Sequence, residues 1–112
     1  MTQHDYIVQV IEQLAQLVGR LIGLRDEKRY DEAEQAIGDA LRGAFGPLSS
    51  TLDEVTPECV PRLIDNAEKL RLYCDLLRES ARIAAAKGDA RRARPLGDRA
   101  DAIELAARLG SA

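Results

Sequence analysis

Residues 27–41 read EKRYDEAEQAIGDAL, and residues 86–100 read AKGDARRARPLGDRA. At an offset of sixty positions Ala33 meets Ala93 and Ala40 meets Ala100. Alanines seven residues apart return to nearly the same helix face, and small side chains there let two antiparallel helices pack closely. The same offset pairs Leu14 with Cys74, Leu17 with Leu77 and Leu21 with Ala81. The sequence therefore reads as an internal repeat. Each half is a long helix, a short turn and a second helix.

Upstream of the first stretch, Ile7, Val10, Ile11, Leu14, Leu17, Val18, Leu21, Ile22 and Leu24 follow a helical period with a broad apolar face. Gln9, Gln13, Gln16 and Arg20 form the polar stripe of that helix. Ala15, Gly19 and Gly23 recur every four residues. They are a candidate face for close packing, against another helix or a second copy of the chain. A turn near residues 26–29 leads to a second helix, from about Tyr30 to Ala44. Its inward positions are Tyr30, Ala33, Ala36, Ile37, Ala40 and Leu41, and Asp31, Glu32 and Glu34 suit the dipole of its first turns. Gly46-Pro47 ends it.

Residues 47–65 break the pattern with Ser, Thr and Pro. Thr56-Pro57-Glu58 reads as an N-cap followed by proline at the first helical position, so a short helix is predicted over about Pro57 to Ile64. A long helix follows over about Asn66 to Lys87, with Asp65 and Glu68 at capping-box spacing. Its inward stripe is Leu70, Tyr73, Cys74, Leu77, Ala81 and Ala84. Lys87-Gly88 closes it, and Asp89 caps a last helix over about Ala90 to Leu109. Pro95 and Gly97 predict a kink or a late start there. The expected fold is one all-α domain of about five helices. It comprises a first hairpin (1–46), an irregular connection (47–65) and a second hairpin (66–112).

This pattern resembles the tetratricopeptide repeat. Lys87-Gly88-Asp89, Ala93 and Ala100 are similar to that family's Gly-Asp turn and its two small packing positions, and Tyr30, Ala33 and Ala40 resemble the same positions in the first half. The first half has Lys28 where Gly is expected, and the second has Ala90 where an aromatic is expected. The opening Gln3-His4-Asp5-Tyr6, followed by Ile11-Glu12-Gln13-Leu14, also resembles a family of short bacterial helical proteins of unknown activity. These resemblances imply stacked helical hairpins and a role in protein–protein interaction. They supply no binding residues.

Composition agrees with a helical protein. Of 112 residues, 46% are hydrophobic and only 4% aromatic, so Leu, Ile, Val and Ala must build the core. The net charge of −3 is split, with −5 over residues 1–56 and +2 over residues 57–112. That asymmetry could orient a partner. The N-terminus has no basic region leading into a long apolar run, and the uncharged stretch Gln13 to Gly19 is far short of a membrane span. A cytoplasmic location is expected.

Catalytic and metal chemistry find little to work with. Cys59 and Cys74 form no CxxC pair, and His4 is the only histidine, so the usual zinc spacings are missing. Two structural thiols are expected. There is no GxSxG, P-loop or GxGxxG motif. Glu12, Glu68 and Glu79 lie on predicted helices without the Glu-x-x-His pairing of di-metal bundles. No catalytic residue, metal, cofactor or small-molecule substrate is assigned. The sharpest polar feature is Arg91, Arg92, Arg94 and Arg99, a candidate binding face for an acidic protein surface or for phosphates. The expectation is a non-catalytic interaction or scaffold module. A self-associating homodimer is the first alternative and a nucleic-acid accessory protein the second.

Overall fold

The turn after the first long helix and the turn after its counterpart share one backbone, sixty residues apart. Lys28 N–H donates to Arg25 C=O, Arg29 N–H to Leu24 C=O and Ala33 N–H to Arg29 C=O. Gly88 N–H donates to Ala85 C=O, Asp89 N–H to Ala84 C=O and Ala93 N–H to Asp89 C=O. Both turns close their helix through a left-handed residue, Lys28 at φ 61° and Gly88 at φ 87°. This is the Schellman arrangement, which satisfies the last carbonyls of a helix. Glycine adopts that conformation freely, whereas a side chain makes it cost about 1 kcal/mol. Lys28 is thus a departure in chemistry and not in conformation.

The computed structural model describes residues 3–110, which form six α-helices. They are α1 (Gln3–Asp26), α2 (Tyr30–Phe45), α3 (Leu48–Glu54), α4 (Val60–Leu63), α5 (Ala67–Ala86) and α6 (Ala90–Gly110). A 3-10 turn (Pro57–Cys59) leads into α4. No strand occurs among the described residues. The connection is more ordered than its composition implies. It holds all of α3, and the helix predicted over about residues 57–64 is split into the 3-10 turn and α4. Thr56 makes no capping hydrogen bond; its hydroxyl lies 3.4 Å from Cys59 Sγ.

Two further expectations change. The cap of α5 is Asn66, whose side chain accepts from Lys69 N–H at 3.0 Å, one position after the predicted Asp65. α6 starts at Ala90 and continues through Pro95, so the late start does not occur. Proline removes one donor near the helix start, and that lost bond is not enough to interrupt the helix here.

The core has two lobes that meet at α5. One joins Val10, Leu14, Leu17, Leu21 and Leu24 of α1 to Ala33 and Ile37 of α2 and to Leu72, Leu76 and Ile83 of α5. The other joins Tyr73, Cys74 and Leu77 of α5 to Ala100 and Ile103 of α6, with Phe45, Leu52, Val60 and Ile64 closing the end. α5 is therefore apolar on two sides, whereas one stripe was predicted. Leu72, Leu76 and Ile83 were missed because they face α1. The α1–α5 interface also buries Glu79, at 2% exposure, between Arg82 at 2.6 Å and Arg25 at 3.2 Å. The two hairpins are further tied where Lys87 meets Asp31 and Glu34, and where Arg92 meets Glu34.

Candidate interaction site

The predicted arginine face does not stay together as one surface. Arg91 and Arg94 are exposed and form no ion pair among the described residues. Arg92 pairs with Glu34 of α2 at 2.7 Å. Arg99 turns inward and donates to the carbonyls of Leu52 and Val55, so it closes the C-terminal end of α3. Beside it the Tyr73 hydroxyl donates to Asp53 at 3.5 Å. Burial, assisted by Asp53, pushes the phenol up to about 12. Two members of the cluster thus remain for an external ligand.

The small-residue face of α1 lies open. Ala15, Gly19 and Gly23 are exposed, and a Cβ added at either glycine would meet no atom within 4 Å. Among the described residues both glycines border only a shallow hollow shared with Glu27, Arg29 and Glu32. The open surface extends to Val8 and Ile22, which are 40% and 43% exposed, and it is bordered by Ile11 and Val18, which are half-buried against the core. His4–Asp26 is also long and apolar enough to cross a membrane by length and composition. A few charges spaced along an otherwise apolar helix keep its uncharged runs short. Only 28% of its most apolar window is buried within the chain.

A groove of ≈ 670 Å³ opens between α4, α5 and α6. It forms because the chain leaves α4 at Ile64 in an extended conformation before Asn66 starts α5. Ile64 and Cys74 are buried at its floor, with Leu70 half-buried beside them. Burial pushes the Cys74 thiol up to about 11, so it is protonated at neutral pH. Arg62, Arg71 and Arg108 line the groove, are exposed, and form no ion pair among the described residues. Two carboxylates share the lining, Asp65 and Glu104. Glu104 already has a partner, Arg78 at 2.6 Å, and that hydrogen bond holds its carboxyl below the usual range. The three arginines come from three helices, 9 and 37 positions apart, so no local cluster announced them. The one sequence signal was Arg71 set three residues before an apolar Cys74 on the same helix.

A second hollow of ≈ 440 Å³ lies between α1 and α2, lined in part by Gln9, Gln13 and Asp39. Cys59 and Cys74 are both free thiols. Among the described residues no three His, Cys, Asp or Glu side chains group to hold a metal ion. Comparison with family models, curated proteins and solved structures found no match. The findings define an all-α protein with an open apolar helix face and an arginine-lined groove.

Proposed function

We propose that the chain is a non-catalytic protein–protein interaction or scaffold module of the cytoplasm, built as a short tetratricopeptide-like array. The observation that carries this reading is the open stripe of α1: Val8, Ala15 and Ile22 are exposed on one outer face, flanked by Ile11 and Val18, which pack partly against the core. A surface helix of a soluble domain usually turns polar residues outward. Exposed contiguous apolar surface marks a place where something docks.

The same face supports a second reading, self-association. Ala15, Gly19 and Gly23 would let a second α1 cross closely, and the space over both glycines is free in the monomer.

Affinity capture of the tagged chain from nuclease-treated extract of its own source, paired with sedimentation of the purified chain, separates the two. A stoichiometric protein displaced by excess untagged chain supports the module. A chain that sediments as a dimer and captures only itself transfers the reading to the homodimer. A monomer that captures nothing contradicts both. Capture found only in a parallel extract without nuclease would instead favour nucleic acid at Arg91 and Arg94.

A further inference from the structure

We infer that the groove between α4, α5 and α6 is a docking site for an acidic, leucine-bearing peptide segment of another protein. The site is separate from the open stripe of α1 and goes beyond that reading. Its floor, Ile64, Leu70 and Cys74, offers apolar contact for one or two inserted side chains. Its rim carries Arg62, Arg71 and Arg108, exposed guanidiniums that form no ion pair among the described residues.

Charge complementarity selects the occupant. Glu104 is held by Arg78 and also feels the charge of Arg108, so Asp65 faces Arg62 and Arg71 and the lining stays net positive. Guanidinium groups bind carboxylates through paired hydrogen bonds, and such contacts strengthen next to an apolar surface that excludes water. A cationic segment would meet three like charges. A nucleic acid would find no aromatic ring in the lining on which to stack a base, and Asp65 would repel its phosphates. The ligand chemistry that satisfies both rim and floor is Glu or Asp side chains flanking Leu.

The test uses the whole chain and a short fluorescent peptide of glutamates with leucines at helical spacing, read by anisotropy. Saturable binding is expected, with a Kd on the order of 10–100 µM. The same peptide with lysine for glutamate should not bind. Arg71→Glu should weaken binding about tenfold, and raising salt from about 50 to about 500 mM should weaken it severalfold. Arg71 is exposed, so circular dichroism and the unfolding midpoint should stay unchanged. Ala67→Glu, which places a carboxylate in the groove and leaves every arginine in place, should weaken binding by a similar factor.

Absence of saturable binding by the acidic peptide, or equal binding of the lysine peptide, would overturn the inference. So would unchanged affinity in Arg71→Glu. An oligonucleotide that binds more tightly than the acidic peptide, through the same arginine, would replace the peptide with a phosphate polymer. Failure here with a partner captured on α1 would sink the groove alone. Binding here with no captured partner would sink the α1 reading alone.

Discussion

α1 and α5 occupy equivalent places in the two hairpins, and their outer stripes have opposite chemistry. At the sixty-residue offset Val8, Ile11, Ala15, Val18 and Ile22 of α1 correspond to Glu68, Arg71, Asp75, Arg78 and Arg82 of α5. Both sets are exposed or half-buried. On α5 the charges are used: Arg78 bridges to Asp101 and Glu104 of α6, and Arg82 holds Glu79. The reverse holds on the face that α5 turns toward α1. There Leu72, Leu76 and Ile83 are buried, while their counterparts Glu12, Gln16 and Gly23 are exposed. Position decides the second contrast. α5 is sandwiched between α1 and α6, whereas on α1 the positions Glu12, Gln16 and Gly23 face solvent and are polar or small. Position does not explain the first contrast. Val8 and Ile22 of α1 are as exposed as Glu68 and Arg82 of α5, so their apolar character is a property of this sequence.

The alanines that define the repeat give the largest test of this inequality. Ala33 and Ala100 are at 0% exposure, whereas their counterparts Ala93 and Ala40 are half-buried. Ala33→Leu and Ala100→Leu should each lower stability by about 2–3 kcal/mol through overpacking. Ala93→Leu and Ala40→Leu should each cost less than about 1 kcal/mol. Urea unfolding of the four variants measures the difference, and equal losses would mean the two hairpins pack alike.

The shared turn gives a smaller effect of opposite signs. Lys28→Gly should raise stability by up to about 1 kcal/mol, because it removes a left-handed side-chain residue. Gly88→Lys should lower it by about 1–2 kcal/mol for the same reason. Identical responses in thermal unfolding would break the equivalence of the turns.

The smallest effect concerns acid. Lys87 and then Arg92 hold the Glu34 carboxyl below its ordinary 4.5, and Arg78 does the same to Glu104. A carboxyl depressed in the folded state adds stability above its unfolded value and loses it as pH falls through the folded one. Glu34→Gln and Glu104→Gln should therefore flatten the stability profile below about pH 4.5, while neither changes its slope above pH 6. Both carboxyls are half-buried at the surface, where solvent screening keeps the change to a fraction of a kcal/mol. Unfolding midpoints measured from pH 3 to 7 would show it.

The sequence made the long helices and their turns legible because periodicity and turn chemistry are local. Lys87-Gly88-Asp89 closes α5 as expected, and the equivalent turn at Lys28 follows from the offset. α3 was hidden because Ser49, Ser50 and Thr51 read as a loop. What holds it is distant: Leu52 is fully buried, and Arg99 binds its terminal carbonyls from α6. The same distance hid the role of Arg99, which local sequence grouped with Arg91, Arg92 and Arg94. The second apolar face of α5 needed knowledge of which helix lies inside. The groove needed three helices to meet.

Ile22→Arg gives α1 the residue that α5 carries at Arg82, on a site already 43% exposed. The decisive measurement is quantitative affinity capture with the wild-type chain and this variant at matched folded concentration. If the open stripe is the interaction surface, the wild type retains a stoichiometric protein and the variant loses about nine-tenths of it, as expected for a charge placed in an apolar interface. Equal recovery by both would contradict the account.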